Sequence, residues 1–582
     1  MGPQESSETT ELEVSVSLLS KTPVVDCEIN PFVDVTSPGS QIVPPHSLAC
    51  NWYREQFTCS VHHGKLSTFQ CMSCVELDLP PKESYHCSSR CFLDSWKIHM
   101  VRHHDAAEAV CRNLTGNEQS VRKLRSSGSW PAFGDASLLH QSAMVVEREG
   151  KEWIKVGSSK AYVPTMDDVG LRLKLESAAV DCSLGIHLSP VNMIVTDPVI
   201  TPPSTPHRHM VQIRHLQKSS DDVMFTVLSY NVLSDLYATR KIYDYCAAWA
   251  LLWGYRRQNL LREIIKYGAD ILCLQEVQSD HFENFFEPQL AKCGYSAVYK
   301  KKTQGVYTGK GYVSDGCATF YRRDLFKEIK KYEIEFRRTA LSVVEALKPE
   351  LRNPARIHLA KDNIALVVVL EKMQKGSTTD AIQTRICVAF YHQANTHISA
   401  DPKHPDVKLF QVANLVNGLE KIAQSQIPLL LCGDINSLPQ SDPHTFIVSG
   451  RINRTRERED DSFGIYQHLK LYHSLCLLSA YASSSQSDLG TKEPVFTHVT
   501  RDFCGTLDYI FYTAKDMILE GLLELPYLES TEPSLPSPIW SSDHIALMAR
   551  FRLKRPSRRR PDPLPLPLNP WQQLSSSTTL AE

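Results

Sequence analysis

One pattern constrains this 582-residue chain more than any other: in its second half, short apolar runs end repeatedly in a polar residue able to do chemistry. Phe225-Thr226-Val227-Leu228-Ser229-Tyr230 stops at Asn231, and Ile271-Leu272-Cys273-Leu274-Gln275 stops at Glu276. The run at 386–391 leads to Asn395 and His397, and that at 428–432 leads through Gly433 to Asp434 and Asn436. Asp508 opens the run 508–512, and Asp543-His544 stands directly before the run 545–551. The runs have strand length and strand composition. Residues 255–267 instead place Leu260, Leu261, Ile264 and Ile265 on one helical stripe that stops at Gly268, and 407–422 reads as a second helix. The alternation over 222–553 predicts an α/β domain of stacked sheets covered by helices. Strand ends gather loops at one edge of such a stack, so residues far apart in sequence can meet. Each Asn or Asp alone is an ordinary turn former. Six such sites, each beside an apolar run, call for more than turn chemistry.

The residue types suit one reaction class. Carboxylates hold magnesium through oxygen, an Asp can take a proton from water, and Asn and His donate hydrogen bonds to a phosphate. The order Ser229-Tyr230-Asn231-Val232-Leu233, Leu274-Gln275-Glu276-Val277, Asn395-Thr396-His397, Gly433-Asp434-Ile435-Asn436-Ser437, Leu507-Asp508-Tyr509-Ile510, Ser542-Asp543-His544 resembles the exonuclease–endonuclease–phosphatase superfamily across 222–553. That resemblance implies a four-layer α/β sandwich, two central β-sheets flanked by helices, and magnesium-dependent hydrolysis of phosphoesters. Leu233-Ser234-Asp235-Leu236-Tyr237-Ala238, Asp401-Pro402, Asp406-Val407-Lys408 and Phe503 ahead of Leu507 are most similar to the carbon catabolite repressor-type deadenylases. The likeness implies a 3′-to-5′ exoribonuclease that removes AMP from messenger-RNA poly(A) tails within a deadenylase complex.

It also implies roles. Glu276 would bind the first magnesium and Asp543 help hold a second, one or two ions being open. Asp434 would orient or deprotonate the attacking water with Asn436 beside it on the phosphate. His397 and Asn231 would stabilise the transition state, and Asp508 would orient His544. Pro402 and Phe503 would sandwich an adenine, and because stacking tolerates any base, Asn436 is a candidate for the edge contact that selects adenine. Two alternatives stay open: a superfamily hydrolase acting on dinucleotides or nucleotide cofactors, and a zinc-finger adaptor with an inactive nuclease domain.

The first half carries a second dense pattern: Cys59-x2-His62, Cys71-x2-Cys74, Cys87-x3-Cys91 and His99-x3-His103. Eight ligand-type residues in four pairs predict two tetrahedral zinc sites. His63 and His104 stand beside His62 and His103 as alternative ligands, and Cys50 and Cys111 are left over. The last three pairs, with Tyr85-His86-Cys87 and Asp94-Ser95-Trp96-Lys97-Ile98-His99, resemble a MYND finger. That likeness implies interleaved sites, Cys59, His62, Cys87, Cys91 for one zinc and Cys71, Cys74, His99, His103 for the other. His62 and His103 depart from it, standing where that family has Cys. MYND fingers dock short peptides, so the expected partner is a protein, another subunit of a deadenylase complex. The finger would stand in place of the leucine-rich repeats that such deadenylases carry in yeast and animals.

The remaining segments set boundaries. Residues 1–48, rich in Ser, Thr and Pro, read as a disordered leader. The finger takes 50–111, and short alternating runs over 125–200 suggest a small β-sandwich. A Pro-rich linker spans 201–221, the catalytic domain 222–553, and an Arg/Pro-rich tail, also read as disordered, 554–582. The N-terminus lacks the pattern of a signal peptide, and no apolar run approaches membrane-spanning length, so no membrane partner is expected. Cys273, Cys387 and Cys432 sit in apolar runs as reduced core residues, which points to the cytoplasm and also the nucleus. A net charge of −2 gives no general attraction to RNA, which leaves local metal ions to supply positive charge at the phosphate.

Overall fold

The structure, a computed structural model, describes residues 12–37, 43–57, 59–62, 65, 67–71, 73–74, 84–113, 152–213, 223–309, 311–375, 385–423, 428–452, 463–483, 493–531, 534–554 and 569–571. The chain divides into two units, Met1–Pro203 and Ser204–Glu582.

In the first unit, β1 (Glu13–Ser17) pairs antiparallel with β2 (Phe32–Thr36). β3 (His46–Gln56) is followed by β4 (Phe69–Gln70), β5 (Tyr85–His86) and the helix Ser89–Asn113. β6 (Glu152–Gly157), β7 (Arg172–Asp181) and β8 (Asn192–Pro198) join β3 in an antiparallel sheet of order β6-β3-β7-β8. Trp52 on β3 is fully buried among Leu173, Leu175 and Val199.

The reading of 1–48 as disordered is therefore corrected for 12–37 and 43–48, residues 1–11 and 38–42 lying outside the described residues. Val14, Val16, Val33 and Val35 alternate along β1 and β2, and Leu12 and Val14 pack on Ala179. The alternation is too short to stand out against the surrounding Ser, Thr and Pro. The finger boundary at 50 is corrected too, because Cys50 is a buried residue of β3. The Cys/His segment is an insertion between β3 and β6, which pair with each other. Residues 125–151, assigned from sequence to the β unit, lie outside the described residues.

The second unit contains β9 (Met210–Gln212), β10 (Met224–Asn231), β11 (Ile271–Gln278), β12 (Tyr295–Lys301), β13 (Val306–Tyr307), β14 (Tyr312–Val313), β15 (Asp315–Arg322) and β16 (Phe326–Glu335). β17 (Ile364–Lys375), β18 (Arg385–His397), β19 (Leu429–Asp434), β20 (Leu477–Ser479), β21 (His498–Val499), β22 (Cys504–Gly505), β23 (Asp508–Thr513), β24 (Met517–Leu523) and β25 (Leu547–Leu553) complete it. One sheet has the order β12-β15-β11-β10-β25-β24-β9, the other β16-β17-β18-β19-β23-β20.

Period-2 alternation explains how the sheets stack. On β17, Ile364, Leu366, Val368 and Leu370 enter a core shared with Phe225, Val227, Ile271 and Cys273 of the other sheet. Ala365, Val367 and Val369 face the opposite way, onto Phe410, Ala413 and Val416 of the helix Pro405–Ala423. Leu272 and Leu274 of β11 likewise turn outward to Leu260 and Ile264 of the helix Trp253–Tyr267. The result is helices, sheet, sheet, helices, with the central strands buried on both faces.

Three sequence expectations change here. Within the expected linker, β9 pairs with β24, and Arg208 donates to the carbonyls of Glu524 (2.7 Å) and Ala546 (2.8 Å). Three residues, Met210-Val211-Gln212, are too few to read as a strand. On the helix Trp253–Tyr267, Ile265 is exposed, and the buried face is Tyr255, Arg256, Asn259, Leu260, Glu263 and Ile264. Within the expected disordered tail, Trp571 is buried, its Nε1 donating to Asn414 O at 3.1 Å. It lies over Gly418, where any Cβ would overlap its ring at 2.1 Å. A lone aromatic in a Pro-rich segment carries no period, so only its receptor reveals it.

Candidate active site

The six strand-end sites converge. In β10, Asn231 is the last residue, and its Nδ2 donates to Glu276 Oε1 (3.0 Å) and Asp434 Oδ2 (3.2 Å) and lies 3.4 Å from His544 Nε2. β10 and β11 run parallel, which puts Asn231 opposite Gln275. The register of β11 against β15 then shifts between Leu274 and Val277. Glu276 sits at that irregularity with φ 57°, a left-handed conformation costing an ordinary side chain about 1–2 kcal/mol. The bulge leaves Glu276 lining the cleft, with Oε2 accepting the Ser234 N–H at 2.9 Å.

β18 and β19 pair in parallel with His397 opposite Asp434. Their close approach requires Gly433, whose Cβ, if present, would meet Thr396 O at 2.0 Å. His397 Nε2 lies 3.6 Å from Asp434 Oδ2, and its Nδ1 is buried without a hydrogen-bond partner. Asp434 in turn opposes Asp508 of β23. Asp508 Oδ2 takes the Thr497 hydroxyl (2.7 Å) and lies 2.7 Å from His544 Nδ1. That contact turns His544 Nε2 toward Asp434, 3.6 Å away. Asn436, at φ 50°, is tied by its side chain to Ile398 O (3.0 Å) and by its carbonyl to Lys408 Nζ (2.7 Å). Its backbone N–H caps Asp434 Oδ1 at 2.9 Å.

Burial and crowding of charge set the protonation states. Burial lifts Asp434 to about 7; His544 opposes the rise, and Asp508 and Glu276 add to it. Burial also raises Glu276, together with the charges of Asp315 and Asp543. Burial and the nearby Lys302 push His397 down to about 3, which leaves it neutral. His544 goes the other way: burial disfavours its charge, but Asp508, Asp434 and Asp543 raise it well above the ordinary value. Asp543 is lowered in spite of burial, by His544 and by its bond from His498. The site thus pairs a carboxylate poised near neutrality with an imidazolium.

Pro402, Asn436 and Phe503 line the same cleft, of about 550 Å³, as Glu276, Asp434 and His544. Several neighbours escaped sequence reasoning. Tyr243 donates to Asp543 Oδ2 (2.7 Å) and His498 Nε2 lies 3.1 Å from the same oxygen. Lys302 pairs with Asp315 at 2.7 Å, and the Tyr237 hydroxyl donates to Asp315 at 3.0 Å. Asp315 opens β15 as Asp508 opens β23, and Tyr237 and Lys408 lie inside the motifs that carry the resemblance, but Tyr243, His498 and Lys302 stand at the end of no long apolar run. Crowded buried carboxylates whose mutual repulsion raises Glu276 fit a bound cation, which would relieve that repulsion. Ligand atoms of His498, Asp543 and His544, and of Asp434, Asp508 and His544, lie close enough to hold a metal.

In the first unit, the ligand atoms of Cys59, His62, Cys87 and Cys91 lie within 4.8 Å of one another, as do those of Cys71, Cys74, His99 and His103. His103 Nε2 is 3.1 Å from Cys74 Sγ, whereas His104 is exposed; His63 lies outside the described residues. Backbone N–H groups of Val61 and His62 help pull the Cys59 thiol down to about 6 against burial.

A two-sheet hydrolase fold with this cleft defines the class, and the chain belongs to the endonuclease/exonuclease/phosphatase family, whose pattern residues 228–544 match. Within that family it is similar to Carbon catabolite repressor protein 4 homolog 1 of Arabidopsis thaliana, 42% identical over 94% of this chain and 99% of that protein. The CCR4-Not complex 3′-5′-exoribonuclease subunit Ccr4 of Saccharomyces cerevisiae is 34% identical over 59% of this chain and 40% of its own length. Among solved structures, ANGEL2, a 2′,3′-cyclic phosphatase, is 27% identical and covers 60% of this chain and 100% of its own, with a TM-score of 0.47. Among the described residues, no helix is long and apolar enough to cross a membrane.

Proposed function

We propose that this protein is a magnesium-dependent 3′-to-5′ exoribonuclease that removes AMP from messenger-RNA poly(A) tails as part of a deadenylase complex, in the cytoplasm and also the nucleus. The observation that carries the reading is one cleft holding both the hydrolytic set and the Pro402–Phe503 pair. The relatives named as exoribonuclease subunits support the direction and the RNA. Magnesium, held by Glu276 and Asp543, would supply charge neutralisation at the scissile phosphate. Asp434, near neutrality, accepts a proton from the attacking water. Neutral His397 and the Asn231 amide donate to the phosphate oxygens, and Asp508 keeps His544 charged and fixed in orientation. Pro402 and Phe503 hold the terminal adenine, and Asn436 meets its edge. The test is digestion of 5′-labelled poly(A), poly(U) and poly(C) with magnesium. A one-nucleotide ladder and AMP from poly(A) alone are expected; equal rates on all three defeat the base assignment.

The mixed thiol and imidazole sets of the first unit suit zinc, and we assign them two structural zinc ions in a MYND-like finger inserted in a small β-sandwich. This module would recruit the partner subunit. Capture of that subunit by the full-length chain should be lost on zinc chelation; capture unaffected by chelator assigns the docking elsewhere.

A further inference from the structure

The helix Trp253–Tyr267 buries polar groups where an apolar stripe was expected, and one of them, Arg256, has no solvent exposure. Its Nη1 donates to Ser541 O (2.6 Å) and Val232 O (3.3 Å), and its Nη2 donates to Leu233 O. Asp235, whose carboxylate lies 4.0 Å from Nε, is its single ion-pair partner among the described residues. A buried guanidinium satisfied almost wholly by neutral carbonyls is a poor source of stability, because desolvation opposes it. What the arrangement does supply is a rigid planar fork that grips two strand-end loops at once. Val232 and Leu233 follow Asn231 directly, and Leu233 is itself left-handed at φ 56°. Ser541 stands two residues before Asp543. Neighbours on the same helix reinforce the grip: Asn259 Nδ2 donates to Ile539 O (2.9 Å) and Ser541 Oγ (2.9 Å), and Tyr255 donates to Pro538 O. Ser542 Oγ closes the arrangement by donating to Asn231 O at 2.7 Å.

We propose that Arg256 is a positioning residue for the hydrolysis: its fork sets the spacing between Asn231 and the Asp543-His544 pair. It acts on the reacting phosphate only through those residues. The inference rests on the cleft being a phosphodiester hydrolase and not on the identity of the RNA.

The experiment uses the full-length chain carrying Arg256→Lys and Arg256→Ala. It measures magnesium-dependent hydrolysis of bis(p-nitrophenyl) phosphate alongside AMP release from a 20-nucleotide oligo(A). Lysine keeps the charge but cannot fork to both loops, so kcat should fall about 100-fold, the effect of a misplacement near 1 Å. KM should stay within about threefold, since substrate contacts are untouched. Low-millimolar guanidinium chloride should raise kcat of Arg256→Ala roughly tenfold by refilling the cavity, while methylammonium chloride should not. Arg256→Lys with kcat within about threefold of wild type overturns the proposal. So does a loss in both variants that follows the folded fraction and ignores guanidinium, or failure of both to fold, because the role is then structural. Wild-type protein that cleaves the diester but releases no AMP defeats the deadenylase reading and leaves the Arg256 result standing. Wild-type protein inert on both substrates overturns both.

Discussion

Among the described residues, the Cys/His module and the cleft gather ligand-type side chains in opposite ways. The Cys/His module draws all eight residues from between Cys59 and His103, and the apolar cluster among them is small: Cys71, Cys74 and Phe92, with Trp96 against them. The cleft draws its residues from Asn231 to His544 and stands on three large apolar clusters formed by two sheets and their helices. A module with so little core would depend on a bound metal for its fold, whereas the cleft is held by a scaffold with large apolar clusters of its own. That independence is why the second unit can keep buried carboxylates against their mutual repulsion.

The largest effect that could break this contrast concerns Glu276. Glu276→Gln should lower magnesium-supported turnover by about 10³-fold, the scale of losing several kcal/mol of metal stabilisation, with the melting profile unchanged. Turnover near wild type would remove Glu276 from the metal role. In parallel, zinc chelation followed by magnesium replenishment should reduce the helical circular-dichroism signal while leaving turnover intact. A chelator that abolishes both irreversibly would end the contrast.

Next is Asp508→Asn, expected to lower kcat by about 100-fold at unchanged KM, because the amide no longer favours one protonation state of His544. A change confined to KM would place Asp508 outside the His544 dyad. A smaller effect is expected from Phe503→Ala. Stacking is worth about 1–3 kcal/mol per base, so KM for oligo(A) should rise roughly tenfold with kcat little changed. An unaltered KM would take Phe503 out of the base site.

The last expectation is a slope with pH. In the metal-free protein, Asp434 sits at about 7, above the ordinary carboxylate value near 4. The folded state therefore binds the proton more tightly, and stability should fall as pH rises from about 4 to 7 and level off above it. Asp434→Asn should flatten that fall. A wild-type stability profile already flat from pH 4 to 7 would show that Asp434 ionises normally.

The legibility of the molecule follows the same division. Strands with clean alternation or continuous apolar runs, such as β10, β11 and β19, were readable because burial on one or both faces dictates residue type locally. β1, β2 and β9 were not, since three to five residues in a polar setting carry too weak a period. Asn231, Glu276, His397, Asp434, Asp508 and His544 were legible because each stands beside an apolar run of the sequence. Tyr243, His498, Lys302 and Asp315 were invisible because they act on the site from other segments of the chain, His498 from 45 positions away from Asp543 and Tyr243 from 300. Arg256 was overlooked for a related reason: on a helix, an arginine is by default a solvated residue, and only the loops packed over it make it an interior one.

By itself, then, the sequence determined residue chemistry at strand ends, the ligand spacing of the Cys/His pairs and the family to which the chain belongs. These are properties of short segments, where composition and period act within a few residues. Tertiary structure decided that the Cys/His segment interrupts a sheet, that Trp571 returns to cover Gly418, and that a buried guanidinium ties the Asn231 loop to the His544 loop. Those outcomes depend on contacts between distant segments, and such contacts have an energy only once the chain has closed the loops that bring them together.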